Sequence, residues 1–155
     1  MMYKKILVPL DGSEFSECSL AHVRAIATGC HVPEVVLLRV VEPISRQAST
    51  VYALMGENSI AEIEKRDQAE VEDYLSQLAD KLKKEGIAVQ TAVAHGVPAD
   101  EILNYAQNSQ VDLIIMSTHG RSGVSRWAFG SVTDKVLRHS TAAVLTTSPS
   151  GCRIG

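Results

Sequence analysis

The chain has 155 residues, which is the size of one domain with a core of its own. Its 15 Lys and Arg residues against 18 Asp and Glu residues give a formal net charge of -3, which argues against a general polyanion binder such as a protein that coats nucleic acid. No stretch approaches the ~20 apolar residues of a membrane span. The short apolar run near the N-terminus is cut by Pro9, Asp11 and Glu14, so it does not resemble a signal peptide. The sequence therefore predicts a cytoplasmic protein without a membrane segment.

We expect a single domain over residues 1–147 and a short polar tail over 148–155. The chain has three cysteines and no Cys-x-x-Cys spacing. This odd number predicts neither a disulfide framework nor a zinc site.

The first part of the chain predicts two buried strands with a helix between them. Ile6–Val8 is a short apolar strand, and Pro9–Ser13 is a turn. Ser13 is expected to cap a helix that runs to about Thr28. Val35–Val41 is almost continuously apolar, which is typical of a strand covered on both faces within a parallel sheet.

The remainder of the chain continues to alternate helices with strands. The segment Glu42–Ser59 shows no period and is expected to be a loop. The elements predicted after it are a helix over Ile60–Glu85, a strand over Ala88–Val93, a helix over Pro98–Gln107, a strand over Val111–Ser117, a helix that starts at a capping box in Ser131–Asp134, and a strand over Ala142–Thr147.

This alternation predicts an α/β fold, namely one open five-stranded parallel sheet that is doubly wound, with helices on both faces. Such sheets bind ligands beyond the carboxyl ends of the strands, where the strand order reverses. Two loops are therefore expected to carry the function. They are Pro9–Ser13 after the first strand and Thr118–Gly130 after the fourth.

The second of these loops is rich in glycine. Gly120, Gly123 and Gly130 allow the backbone to approach a ligand closely. The helix N-terminus that follows offers free amides and a positive dipole end to an anion. These features indicate a phosphate site, and a glycine-rich surface turn with an ordinary cap is the alternative. The spacing matches neither a P-loop nor a dinucleotide-binding fingerprint.

The same residues resemble the universal stress protein family, in its ATP-binding subclass. The family motif is G-x-x-G, nine residues, then G-[ST]. Gly120, nine further residues and Gly130-Ser131 match it. The opening Ile6–Ser13 and the second strand at Leu38–Val41 resemble the family as well. The resemblance covers nearly the whole chain and implies the fold of the adenine nucleotide alpha hydrolase-like proteins.

The resemblance implies a position for the base and the sugar of an adenine nucleotide. Pro9 and Asp11 would line the adenine and ribose end, with the Asp11 carboxylate offered to the ribose hydroxyls. The main chain of Val40 would bind the adenine edge. Ser117 and Gly120 would lie beside the ribose and the first phosphate.

The resemblance also implies how the phosphates are held. The amides and a hydroxyl of Gly130, Ser131 and Val132 would bind the outer phosphates of ATP, or those of AMP or ADP. A magnesium ion would bridge these phosphates, and no residue of the protein is expected to ligate a metal.

Three residues leave alternatives open. Ser117 stands where the motif has glycine, so either its Cβ crowds the ribose or its hydroxyl binds it. Asp11 is either a ligand contact or the acceptor of a local Asx turn. His119 either contacts phosphate, carries a proton, or shapes the turn in which it lies.

The resemblance further implies a homodimer in which the fifth strand, Ala142–Thr147, pairs across a two-fold axis. We expect a nucleotide-responsive stress or signalling protein without efficient turnover, which acts on a protein partner not identified by the sequence. A slow ATP hydrolase or adenylate-handling enzyme on the same fold is one alternative. A structural dimer that binds no nucleotide is the other.

Overall fold

A computed structural model describes residues 2–43, 54, 56–119 and 130–148 of the chain. These residues form a five-stranded sheet in the order β3-β2-β1-β4-β5, in which every neighbouring pair is parallel. The predicted open parallel sheet is therefore confirmed. The strands are β1 (Lys5–Pro9), β2 (Glu34–Val41), β3 (Val89–His95), β4 (Leu113–Ser117) and β5 (Ala143–Thr147).

Helices cover both faces of the sheet, as predicted. They are α1 (Glu14–Glu17), α2 (Ser19–Gly29), α3 (Glu57–Lys84), α4 (Pro98–Asn108) and α5 (Ser131–His139). One core cluster joins α2 and α3 to one face of the sheet through residues such as Val23 and Leu75. The other joins α4 and α5 to the opposite face through residues such as Ile102 and Val136. Because successive strand residues point to opposite faces, Ile6 and Leu7 belong to different clusters.

The strand order reverses at β1. The chain moves from β1 outward to β2 and β3, and then returns to the other side of β1 for β4 and β5. The connections leaving β1 and β4 therefore diverge to opposite sides at the carboxyl end of the sheet, which leaves a crevice between them. This position is where the sequence placed the two functional loops.

The helix predicted from Ser13 is interrupted. Ser13 caps α1 as expected, since its side chain accepts a hydrogen bond from the amide of Ser16. However, α1 ends at Glu17, and α2 starts only at Ser19. The Ser19 hydroxyl donates to the carbonyl oxygen of Ser16 at 2.7 Å. Side chains of this kind compete for main-chain carbonyls and disturb a helix, which gives a physical reason for the break.

The predicted capping box at the start of α5 is wrong. Gly130 is the N-cap residue, and Ser131 is already the first helical residue. The Asp134 carboxylate instead pairs with Arg138 one turn later. The N-terminus of α5 therefore receives no hydrogen bond from the side chain of its cap residue.

The cysteines also differ from expectation. Cys18 is disulfide-bonded, whereas Cys30 is an exposed free thiol. A disulfide depends on how close the fold brings two cysteines, which sequence spacing alone did not indicate. Among the described residues, no helix is both long enough and apolar enough to span a membrane.

Candidate functional site

A cleft of about 900 Å³ opens at the carboxyl ends of β1, β2 and β4. The turn after β1 and the last residues of β2 line it together with the N-terminus of α5. Side chains of α3 and α4 complete its walls. The cleft therefore lies at the predicted switch point of the sheet.

The structure brings most of the predicted site residues together. The ones that line this single cleft are Pro9, Asp11, Val40, Ser117, Gly130, Ser131 and Val132. Gly120 lies outside the described residues, as do Gly123 and the rest of residues 120–129. Residues more than 100 positions apart in the chain thus share one concave surface.

Asp11 forms the local turn that the sequence allowed. Its Oδ1 accepts hydrogen bonds from the amide of Ser13 at 2.9 Å and from the Ser13 hydroxyl, which is an Asx turn. The same side chain lines the cleft. The turn holds the carboxylate in one orientation at the rim, so the two roles considered for Asp11 are compatible.

The main chain of Val40 faces the cleft. The β1–β2 ladder ends at the Pro9–Leu38 pair, and the amide of Leu10 donates to the carbonyl oxygen of Leu38 at 2.8 Å. The N–H and C=O of alternate residues in a strand point to the same side. Val40 therefore directs its donor and acceptor toward the β1 side, beyond the end of that ladder.

The N-terminus of α5 is placed by Gly130. The Gly130 amide donates to the carbonyl oxygen of Thr118 at 2.9 Å, and the first helical bond runs from Asp134 to Gly130. A Cβ on Gly130 would lie 3.3 Å from that Thr118 oxygen, so glycine lets the helix approach β4 closely. The Gly130 amide is thus already committed to the protein.

The next three amides of α5 remain directed to the cleft end of the helix. Within the described part of the chain, no acceptor receives a hydrogen bond from Ser131, Val132 or Thr133 N–H. These amides and the positive end of the helix dipole favour an anion. The sequence pointed to Ser131 and Val132 but missed Thr133, whose hydroxyl donates to the carbonyl oxygen of Ser117 at 3.0 Å.

His119 lines the cleft immediately after β4. Its ring Nδ1 lies 2.8 Å from the Thr118 hydroxyl oxygen, and its amide donates weakly to the Ser117 hydroxyl at 3.5 Å. These contacts support the interpretation that His119 shapes the turn.

Sequence reasoning missed the wall contributed by α3. Asp67, Glu70, Val71 and Tyr74 all line the cleft. Val71 and Tyr74 are three positions apart, which places them on one helix face. This spacing indicated a buried stripe, but only the tertiary structure shows that the stripe continues into the wall of the cleft.

Tyr74 connects this wall to α1, the helix that follows the turn after β1. Its hydroxyl donates to the Glu17 carboxylate at 3.0 Å. Burial, and then the hydrogen bond to Glu17, raise the pKa of Tyr74 above its usual value because both disfavour a phenolate. Arg39 donates to the carbonyl oxygen of Leu10 at 3.4 Å. Arg39 therefore holds the turn that carries Asp11, and Tyr74 holds the helix that follows this turn.

The amino-acid sequences of several known proteins are similar to this chain along most of its length. It is 34% identical over 154 residues to the universal stress protein MJ0577 of Methanocaldococcus jannaschii, covering 94% of each chain. It is also 32% identical to the universal stress protein YxiE of Bacillus subtilis, covering 93% of this chain and 98% of that protein.

Solved structures agree with these relatives. The structure of MJ0577 superimposes with a TM-score of 0.79 at 32% identity, covering 96% of this chain and 97% of that one. A universal stress protein in complex with cAMP gives 0.69 at 21% identity, covering 96% and 99%. A protein of the same family from Arabidopsis thaliana with AMP bound gives 0.65 at 16% identity, covering 94% and 91%. The last two support the fold alone.

The family assignment rests on the whole chain and on no single motif. The model of the universal stress protein family matches residues 2–148. With the parallel sheet, the cleft at its switch point and these relatives, the match shows that this chain belongs to the universal stress protein family.

Proposed function

We propose that the cleft binds an adenine nucleotide and that its occupancy acts as a signal. The observation that carries this proposal is the presence of two complementary groups in one cleft. The Val40 main chain presents one donor and one acceptor, and the α5 N-terminus presents amides at Ser131 and Val132. The donor and acceptor of Val40 can pair with the edge of a flat base, and the amides at the start of α5 can bind a phosphate.

The adenine edge suits Val40. Adenine carries an amino donor beside a ring nitrogen acceptor, which can pair with the carbonyl and amide of one residue. Pro9 and the apolar side chain of Met116 also line the cleft, and they would pack on the base. The Asp11 carboxylate would accept hydrogen bonds from the ribose.

The phosphates would lie against α5. The amides of Ser131, Val132 and Thr133 and the Ser131 hydroxyl would bind them, whereas the Gly130 amide stays bonded to Thr118. Gly120 belongs to this proposal through the motif alone. ATP, ADP and AMP all have the shared chemistry, and two family structures contain cAMP and AMP respectively.

Magnesium would reach this site through the nucleotide. The described residues contain no group of three or more His, Cys, Asp or Glu side chains that could hold a metal ion. Mg²⁺ commonly keeps several waters and binds substrate phosphates with few protein ligands. We therefore propose that the phosphates carry the ion, which would neutralise their charge in the cleft.

The protein would act as a homodimer. β5 is an edge strand of the sheet, with Val144 and Leu145 only half-buried. An open edge of this kind invites pairing with another strand. Pairing of Ala142–Thr147 with the same segment of a second copy would cover it, and the cleft of each copy would then be presented to a further protein partner.

We propose that the occupied cleft has a regulatory role and does not turn the nucleotide over efficiently. Asp11, a carboxylate that lines the cleft, is already oriented by Ser13. A general base must reach the proton that it abstracts, and Asp11 is assigned to the ribose. If phosphate release scaled with protein and disappeared in Asp11→Ala, the hydrolase alternative would replace this proposal.

Titration of the purified protein with ATP, ADP and AMP, each with and without Mg²⁺, tests the proposal by calorimetry and thermal unfolding. At a ligand concentration one hundred times its dissociation constant, the stability should rise by about 2.7 kcal/mol. Native mass spectrometry of the same samples reports the bound nucleotide and the subunit count. The absence of binding by every adenine nucleotide would overturn the proposal.

A further inference from the structure

The Ser117 hydroxyl has an uncommitted hydrogen. Ser117 is only 7% exposed and lines the cleft. Its oxygen accepts a long hydrogen bond from the amide of His119 at 3.5 Å. No acceptor for its own O–H is found among the described residues. A buried hydroxyl without an acceptor costs stability, so a group that fills this cleft is expected to provide one.

The fold places this hydroxyl in the same cleft as the turn that carries Asp11. Side chains alternate along β4, and Ile115 packs in the same cluster as Leu10, so Ser117 faces that side too. The β1–β4 register pairs Leu7 with Ile114. Beyond this pair the two strands separate around the cleft, and Asp11 and Ser117 both line it.

A donor and a carboxylate in one cleft select a particular ligand group. The Asp11 carboxylate can only accept hydrogen bonds and would repel a phosphate placed against it. Ser117 can donate one. A hydroxyl is the group that satisfies both, because it donates and accepts at the same time.

We propose that Ser117 is a specificity-determining residue that donates a hydrogen bond to a ribose hydroxyl, so that the cleft prefers ribonucleotides to deoxyribonucleotides. This inference rests on the proposed nucleotide site. It selects one of the two consequences open for the serine, namely that its hydroxyl binds the sugar and does not crowd it.

The experiment measures the affinity of the full-length wild-type protein and Ser117→Ala for AMP, 2′-deoxy-AMP and 3′-deoxy-AMP by calorimetry. A neutral hydrogen bond corresponds to about a two- to tenfold change in affinity. We expect Ser117→Ala to weaken AMP binding by that factor. With the deoxynucleotide that lacks the bonded hydroxyl, the wild type should already be weaker, and Ser117→Ala should cause no further loss.

Thr147→Val is the matched control. Thr147 pairs with Ser117 in the β4–β5 register and is buried. Its hydroxyl has no hydrogen-bond partner among the described residues, and Thr147 is not among the residues that line the cleft. Its substitution should leave the affinity for AMP unchanged.

Two other results would overturn the inference. One is unchanged or tighter AMP binding by Ser117→Ala, and the other is an equal loss for all three nucleotides. Should Ser117→Ala not fold, equal binding of AMP and both deoxynucleotides by the wild type would overturn it as well. If the wild type bound none of the three, the proposed function itself would fail, which is a distinguishable result.

Discussion

The amide of Gly130 donates a hydrogen bond to the carbonyl oxygen of Thr118 over 2.9 Å. A Cβ added to Gly130 would lie only 3.3 Å from the same oxygen. This one relationship joins the end of β4 to the start of α5. It places the helix N-terminus at the cleft, and it explains why glycine stands at this position although its backbone angles suit any residue.

Substitution of Gly130 should therefore displace the proposed phosphate site. We expect Gly130→Ala to weaken AMP and ATP binding by about tenfold, since the helix must move by a few tenths of an ångström away from Thr118. The larger Gly130→Val change should abolish binding. Calorimetry measures the affinities, and native mass spectrometry should show an unchanged subunit count.

Gly29→Ala provides the control for Gly130. A Cβ at this helical glycine meets no atom within 4 Å, so nucleotide affinity should be unchanged and stability should rise slightly. If Gly130→Val bound nucleotide as tightly as Gly29→Ala, the N-terminus of α5 would not be the phosphate site.

The base preference should follow the main chain of Val40. Inosine monophosphate carries a carbonyl where AMP has the amino group and a protonated ring nitrogen where AMP has an acceptor. The carbonyl of inosine would then face the Val40 carbonyl, and its ring N–H would face the Val40 N–H, so that neither hydrogen bond could form. We expect inosine monophosphate to bind at least tenfold more weakly than AMP in a competition titration. Equal affinities would remove Val40 from the base site.

Asp112 should stabilise the amino-terminal end of the sheet. Its Oδ2 accepts hydrogen bonds from the amides of Lys4 and Lys5 at 2.7 and 2.9 Å. These bonds lower the pKa of Asp112 below its usual 3.8, because they favour the carboxylate. The stabilisation is thus present above pH 3.8 and is lost as the pH falls through the lower pKa of the folded state.

Asp112→Asn should accordingly cost about 1 kcal/mol at pH 7, a value reduced for solvent exposure. It should also flatten the loss of stability in acid. Urea unfolding at pH 7, 4 and 3 measures both effects. Asp80→Asn changes an exposed carboxylate on α3. This control should change neither the free energy of unfolding at pH 7 nor the loss of stability in acid. A wild type and an Asp112→Asn variant with parallel pH profiles would contradict the prediction.

Tyr74 should make stability depend on pH at the alkaline end. Its pKa is raised in the folded state by burial and by Glu17, so its contribution is complete below the usual pKa of about 10 and declines as the pH rises above it. Tyr74→Phe should lower the free energy of unfolding by about 1 kcal/mol at pH 7 and reduce that decline.

Alkaline absorbance titration checks this assignment directly. Tyr74→Phe should remove a late phase of tyrosine ionisation, above the usual range, whereas Tyr105→Phe, on the other side of the sheet, should leave that late phase in place. Loss of the late phase in the Tyr105 variant would show that the assignment to Tyr74 is wrong.

Local patterns in the sequence were sufficient for the order and type of the elements. The apolar run Val35–Val41 predicted a strand covered on both faces, and β2 has this position and this burial. The alternation of helix and strand predicted the parallel sheet. Such features depend on neighbours within a few residues, and so a sequence window contains them.

Other features required the tertiary structure. Three such features are the break between α1 and α2, the N-cap at Gly130 and the α3 wall with Tyr74. Each depends on which groups form a hydrogen bond or pack together in the folded chain. Glycine at 130 marked a turn in the sequence, but the reason for glycine is the carbonyl oxygen of Thr118, twelve residues earlier and directly after β4.

The sequence by itself thus determined the fold class, because periodicity and turn chemistry are local properties, and its glycine motif resembles the family to which the chain belongs. Only the tertiary structure decided which amides of α5 are already used, which way Val40 presents its main chain and which side chains of α3 close the cleft. Hydrogen-bond partners and shared volumes between distant residues exist only once the chain has packed.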